Sequence, residues 1–218
     1  MSLPSLLLDA LFPDSCLSCL APKRPDWRHD VACDACLDGV PLPQRFRCIA
    51  CQAPGTAPLL GCHPAAGTSL AIATSGSRVL GSLASALLYE GITRAAPAIA
   101  DVMAACVATS GMPLHRTIAV PLPESPHLTR SRGFAPHDLL ASSLASCLDL
   151  ACEPHVLSAT SVAGRQVFGI GRPGDAAAAR QVLAVSAALP ATRDLESIVG
   201  LIRAACPRAA VTFVAATD

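Results

Sequence analysis

Cysteines two residues apart recur through the first third of the chain: Cys16-Leu-Ser-Cys19, Cys33-Asp-Ala-Cys36 and Cys48-Ile-Ala-Cys51, followed by Cys62-His63. Two thiolates on one tight turn can grip one edge of a tetrahedral ion, so two such turns close a Zn(II) site. Cys16, Cys19, Cys33 and Cys36 form the first expected site, with 13 residues between the pairs. Buried free thiols alone would not explain the same spacing twice over. In the second set, Cys48, Cys51 and Cys62 offer three thiolates, but Ala65 stands where a fourth belongs. His63 could complete that set through an imidazole nitrogen, with local backbone distortion between adjacent ligands. The other reading is a vestigial knuckle of buried thiols, so one zinc ion is expected and a second stays open.

The compartment bears on this choice. Met1 to Ser15 contains no Lys or Arg and carries Asp9 among its leucines, which does not resemble a targeting signal. A reducing, cytoplasmic location is expected, where paired cysteines among the chain's 11 serve as metal ligands rather than as a disulfide framework. Residues 48–77 lack charged side chains, but Pro54, Pro58, Pro64 and Gln52 exclude a membrane span.

The elements that must hold these ligands follow from periodicity. Leu3, Leu7 and Leu11 recur at helical spacing before Pro13, giving a short lead-in helix. A Pro, Gly and Ala-rich stretch from Gln52 to Gly67 reads as a linker. Residues 1–66 are thus expected as a helix and double zinc ribbon, and 67–218 as an α/β domain. In the second part, Ser69–Thr74, Thr117–Val120, Gln181–Val185 and Val211–Ala215 read as strands. Helical faces run through Val79, Leu83 and Leu87; Ile99, Val102, Met103 and Cys106; Leu140, Leu144, Cys147 and Leu148; and Leu195, Ile198, Val199 and Ile202. Strand, helix, strand order predicts right-handed parallel crossovers and a doubly wound sheet. With 52% hydrophobic and 15% charged residues, the chain can bury a core of that size.

The 16 acidic and 16 basic residues cancel, so no global field draws the chain to nucleic acid, and any such contact must be local. Val182-Leu-Ala-Val185, then Ser186 to Asp194, then a helix has the strand, loop, helix form of a phosphate cradle. Val120-Pro-Leu-Pro123, Arg130-Ser-Arg132-Gly133-Phe134 and Asp138-Leu-Leu-Ala141 make a second cluster. Together with the cysteine knuckles these stretches resemble the ComF family, whose members join a double zinc ribbon to a type I phosphoribosyltransferase-like domain associated with DNA uptake in competence. Gly76 with Arg78, Tyr89-Glu-Gly91, and Arg165-Gln-Val167 with Gly169-Ile-Gly-Arg172 are weaker similarities, the last to a Gln-containing loop.

The resemblance also exposes departures. Active relatives carry Val-Leu-Leu-Val-Asp-Asp-Val-Leu-Thr-Thr-Gly-Ala-Thr, in which two carboxylates hold the ribose and small residues offer N–H groups to the 5′-phosphate. Ser186 and Ala187 stand at the acidic positions, Pro190 removes a donor, and Thr192 replaces the glycine. Asp194 puts a carboxylate where the phosphate would meet the helix N-terminus. The family's Lys is matched by Leu88 and its Asn-Gln by Ala135-Pro136. The expectation is a phosphoribosyltransferase-like domain without the activity, acting in DNA uptake beside a helicase.

Arg130, Arg132, Phe134 and Thr192 remain as residues able to bind a nucleotide or single-stranded DNA. On a loop, two guanidinium groups beside an aromatic face could clamp a sugar-phosphate backbone, while the alternative for Phe134 is a core anchor. The histidines His115, His127, His137 and His155 show no metal spacing, and Cys106, Cys147 and Cys206 read as core residues. Two other functions stay open: a working phosphoribosyltransferase and a zinc-dependent protein-interaction adaptor.

Overall fold

Val182–Val185 and Val211–Ala215 are nearly continuous apolar runs, the pattern of parallel strands covered on both faces. In the computed structural model, which describes residues 14–42, 46–47, 54–55, 68–72, 77–162, 165–172 and 174–217, both runs become central strands. In chain order the strands are β1 (Phe46–Arg47), β2 (Pro54–Gly55), β3 (Thr68–Ile72), β4 (Thr117–Pro121), β5 (Ala151–Cys152), β6 (Leu157–Val162), β7 (Arg165–Ile170), β8 (Gln181–Ala188) and β9 (Ala210–Thr217). The helices are α1 (Asp34–Asp38), α2 (Arg78–Tyr89), α3 (Ala95–Thr109), α4 (Pro126–Arg132), α5 (Pro136–Leu148) and α6 (Thr192–Ala205).

The main sheet runs β2-β1-β3-β9-β8-β4-β5. Strands β3, β9, β8 and β4 are mutually parallel, the two-residue β5 extends them in parallel, and β1 and β2 join antiparallel at the other edge. The alternation of side chains sorts the two faces. Ala119, Leu183, Val185, Ala187 and Val214 point into one apolar cluster with α2, α3 and α5. Ile118, Val120, Val182, Ala184, Val211 and Phe213 point into the other, closed by α6. The protein is therefore α/β with helices on both faces of a largely parallel sheet.

Local signals start and stop the helices. Ser77 Oγ accepts from the Leu80 N–H at 3.4 Å to begin α2, and Ser125 Oγ accepts from Leu128 N–H at 3.5 Å to begin α4. Gly133, at φ +82°, ends α4 in the left-handed region that a Cβ disfavours. Between β5 and β8, β6 and β7 form a separate antiparallel ribbon, pairing Leu157 with Ile170 and Val162 with Arg165.

The N-terminal segment shares the core of the α/β part. Val31, Ala32, Leu37 and Val40 sit in the same cluster as Leu80, Leu83, Leu87 and Ile99. His29 Nε2 lies 2.7 Å from Asp101 Oδ2 on α3, and the Cys147 thiol donates to the other oxygen of Asp101 at 3.4 Å. Cys106 and Cys206 are buried as expected, but Cys147 is exposed. One position before Leu148 on the end of α5, it turns to the solvent side, where Asp101 gives its S–H an acceptor.

The strand and helix expectations of the α/β part hold to within a few residues, whereas β5, β6, β7 and α4 carried no periodic signal. The lead-in helix at Leu3, Leu7 and Leu11 lies outside the described residues. Leu83 is fully buried on the α2 face. Leu83→Ala is expected to lower stability by about 3 kcal/mol, read as a lower urea midpoint at unchanged slope.

Candidate metal centre and switch-point crevice

The first knuckle is set by its backbone. Leu20 adopts φ +60°, its N–H bonds to the Cys16 carbonyl at 2.9 Å, and Ser15 bridges Pro22. The second pair sits differently from the expected tight turn: Cys33 precedes α1 and Cys36 lies in its first turn. The Leu17 N–H donates to the Val31 carbonyl at 2.9 Å and ties the two halves together.

The result is one cluster. The sulfurs of Cys16, Cys19, Cys33 and Cys36 all lie within 4.8 Å of one another. Cys19 and Cys33 Sγ are 3.7 Å apart, close to the edge of about 3.8 Å that a tetrahedron with Zn–S bonds near 2.3 Å requires. Four thiols with no disulfide among the described residues suit zinc by donor chemistry as well as by spacing.

The metal-free thiols differ in acidity. Burial raises the pKa of Cys16, but backbone N–H groups of Cys19, Cys33 and Ser18 outweigh it and bring the value down to about 6. Burial, reinforced by the neighbouring Cys33, Cys19 and Cys16, pushes Cys36 up to about 12. Burial also raises Cys33. One thiolate is thus present near neutrality, and the others give up protons as a metal arrives. Zinc affinity is expected to fall as pH is lowered, because protons compete for the thiolates; a chromophoric chelator competition across pH checks this. Metal analysis of Cys16→Ser or Cys36→Ser is expected to show loss of the bound ion. Cys48, Cys51, Cys62 and His63 lie outside the described residues.

The second feature follows from sheet order. From β4 the chain passes through α5 to β5 on one side, and from β8 it passes through α6 to β9 on the other. Connections leaving adjacent parallel strands in opposite directions open a crevice at the strands' carboxyl ends. A cavity of about 710 Å³ lies there, lined among others by Leu122, Glu124, Arg132, His137, Gln166 and Asp194.

Its polar groups are held by the fold. Arg132 Nη1 donates to Glu124 Oε2 at 2.6 Å, with the two side chains 21% and 11% exposed. His137 Nδ1 is 2.8 Å from the Leu122 carbonyl, the arrangement of an N–H donor with Nε2 left as acceptor in the neutral ring. Gln166 Nε2 donates to the Pro123 carbonyl at 2.6 Å, pinning the β6–β7 ribbon over the crevice.

Several sequence expectations change here. Arg130 and Arg132 lie in the last turn of α4 rather than on a loop, since Ser125, Pro126 and Gly133 supply a complete set of helix boundaries. Arg165–Val167 opens strand β7 rather than forming a loop. Phe134 packs part-buried against the helical core, its ring centre 6.0 Å from the Arg132 guanidinium carbon. Thr192 is the first residue of α6.

The cradle itself is shorter than the sequence suggests. Ser186 and Ala187 belong to β8, which pairs with β9 as far as Ala188 opposite Thr217. Only residues 189–191 are left as a loop. Leu189 N–H donates to Thr217 O at 3.0 Å, Pro190 has no N–H, and the N–H groups of Asp194 and Leu195 both turn to Ala191 O at 2.8 and 3.1 Å. Glu124 escaped the site reading, although it directly follows Val120-Pro-Leu-Pro123 at a strand end; His137 was set aside for want of metal spacing, and Gln166 was noted only within the stretch similar to a Gln-containing loop.

No family model matches the chain, and a search of curated proteins finds no match either. Among the described residues, no helix is long and apolar enough to cross a membrane.

Burial holds the His137 pKa below its ordinary value, against the opposing effect of the Leu122 carbonyl. The unfolded chain therefore takes up this proton first, so stability is expected to fall as pH drops through about 6.5 toward the folded value. Urea midpoints measured across that range should lose this part of their pH dependence in His137→Gln.

Proposed function

We propose that this chain is a ComF-like protein, a zinc module joined to a phosphoribosyltransferase-like domain that acts without catalysis in DNA uptake, binding single-stranded DNA beside a helicase in the cytoplasm. The observation that carries the non-catalytic part is the shortened turn after β8, with no carboxylate at Ser186 or Ala187. A 5′-phosphate is held by several converging backbone N–H groups, and in the short turn after β8 the Leu189 N–H goes to Thr217 O, Pro190 has none, and the Asp194 and Leu195 N–H groups turn to Ala191 O. Ser186, buried with its hydroxyl turned to the Ala188 carbonyl, and the fully buried Ala187 offer no carboxylate to a ribose.

Binding then falls to the rim. Arg130 is exposed near the end of α4, and Arg132, two residues further on, stands over Phe134. The three cations of residues 14–42 do not compete for this role. Lys23 pairs with Asp14 and Asp30, Arg24 with Asp26, and Arg28 with Asp34 and Asp38.

A fluorescence titration with labelled oligothymidylate at two salt concentrations tests the reading. Affinity is expected to weaken with salt and to drop about tenfold or more in the Arg130→Ala, Arg132→Ala double variant. Salt-independent or absent binding would favour a protein-interaction adaptor. The presence of Glu124 and Asp194 on the crevice wall favours the remaining alternative, a working transferase. Calorimetry with phosphoribosyl pyrophosphate and Mg²⁺ decides that point, with no heat of binding expected.

A further inference from the structure

Glu124 occupies Arg132 in the manner of a ligand. Its carboxylate takes the guanidinium at 2.6 Å in a setting where both side chains are largely removed from water. Guanidinium groups hold carboxylates and phosphates through the same paired N–H geometry, so the two acceptors compete directly. The backbone on either side of Glu124 is fixed: the Pro123 carbonyl is held by Gln166, and Ser125, 7% exposed, caps α4. Glu124 therefore cannot follow Arg132 if the arginine turns outward, and a phosphate reaching Arg132 inside the crevice must displace it.

We propose that Glu124 is a built-in phosphate mimic that gates Arg132 against the phosphodiesters of single-stranded DNA. This rests on the nucleic-acid reading above. In the closed state Arg130 makes the first, solvent-exposed contact, and Arg132 adds its contact only once the phosphodiester has replaced the carboxylate. Removing the carboxylate leaves a partly buried charge without its partner, which raises the drive to take up an anion.

The experiment is the labelled oligothymidylate titration at two salt concentrations, on the full zinc-loaded chain. Glu124→Gln keeps the shape and removes the charge, and Glu124→Ala removes the acceptor, so that each controls for a folding defect in the other, with thermal melts run alongside. Both are expected to bind about tenfold more tightly than the parent and with a steeper salt dependence, reflecting one more neutralised phosphate. The gain is expected to vanish in Glu124→Gln combined with Arg132→Ala. Tighter binding by the variants when the parent binds too weakly to measure also supports the gate. Unchanged or weaker binding in both Glu124 variants, while the Arg130→Ala, Arg132→Ala variant still loses affinity, overturns the gate and leaves the nucleic-acid reading standing. Absence of binding in the parent and in every variant overturns both.

Discussion

The pairing of β8 with β4 on one side and β9 on the other is the constraint on which the remaining architecture depends. It runs from Gln181 opposite Thr117 and Ala210 to Ala188 opposite Thr217. Because β8 is covered on both faces, its side chains from Val182 to Val185 alternate between the two apolar clusters. The same pairing places the ends of β4 and β8 side by side with their connections diverging, which creates the crevice. Its continuation to Ala188 shortens the following turn to residues 189–191 and takes the Leu189 N–H to Thr217 O. One set of hydrogen bonds thus both opens the crevice and sets the length of the turn at its corner.

The N-terminal module is bound into this framework by apolar burial more than by charge. Val31, Ala32, Leu37 and Val40 complete the helical face formed by α2 and α3. The His29–Asp101 contact, partly exposed on the aspartate side, contributes at most about 1 kcal/mol by comparison. A metal at the four cysteines would supply roughly 10–16 kcal/mol of apparent binding energy to a segment with few large side chains of its own. Order at the cysteine cluster and order at the α2–α3 surface therefore support each other, since Leu17 and Leu37 lie next to the clustered cysteines Cys16 and Cys36 and also pack on the shared core.

Electrostatics in the molecule are local. Lys23, Arg24 and Arg28 are matched to aspartates within the module, and Arg132 is matched to Glu124 at the crevice. A neutral chain arranged this way exerts no net pull on a polyanion at long range, so under the proposed reading recognition would be local, near α4. That is a setting in which one carboxylate changes what the surface can hold.

Much of this was legible in the residues themselves. The first cysteine set, the four long parallel strands and the main helical faces follow from ligand spacing and from periods of 2 and 3.6, which depend only on backbone geometry. The lack of a carboxylate at Ser186 and Ala187 was equally visible, because it is a matter of residue type. Tertiary structure alone decided how far β8 runs, since a strand ends where its neighbours stop pairing, and so it alone decided that Leu189 and Asp194 N–H groups are spent. It likewise decided that Arg132 meets Glu124 eight residues away and that Gln166 reaches Pro123 across 43 residues of sequence. Those contacts arise because α4 folds back over the end of β4 and the ribbon closes above it, and neither movement leaves a periodic mark in the sequence.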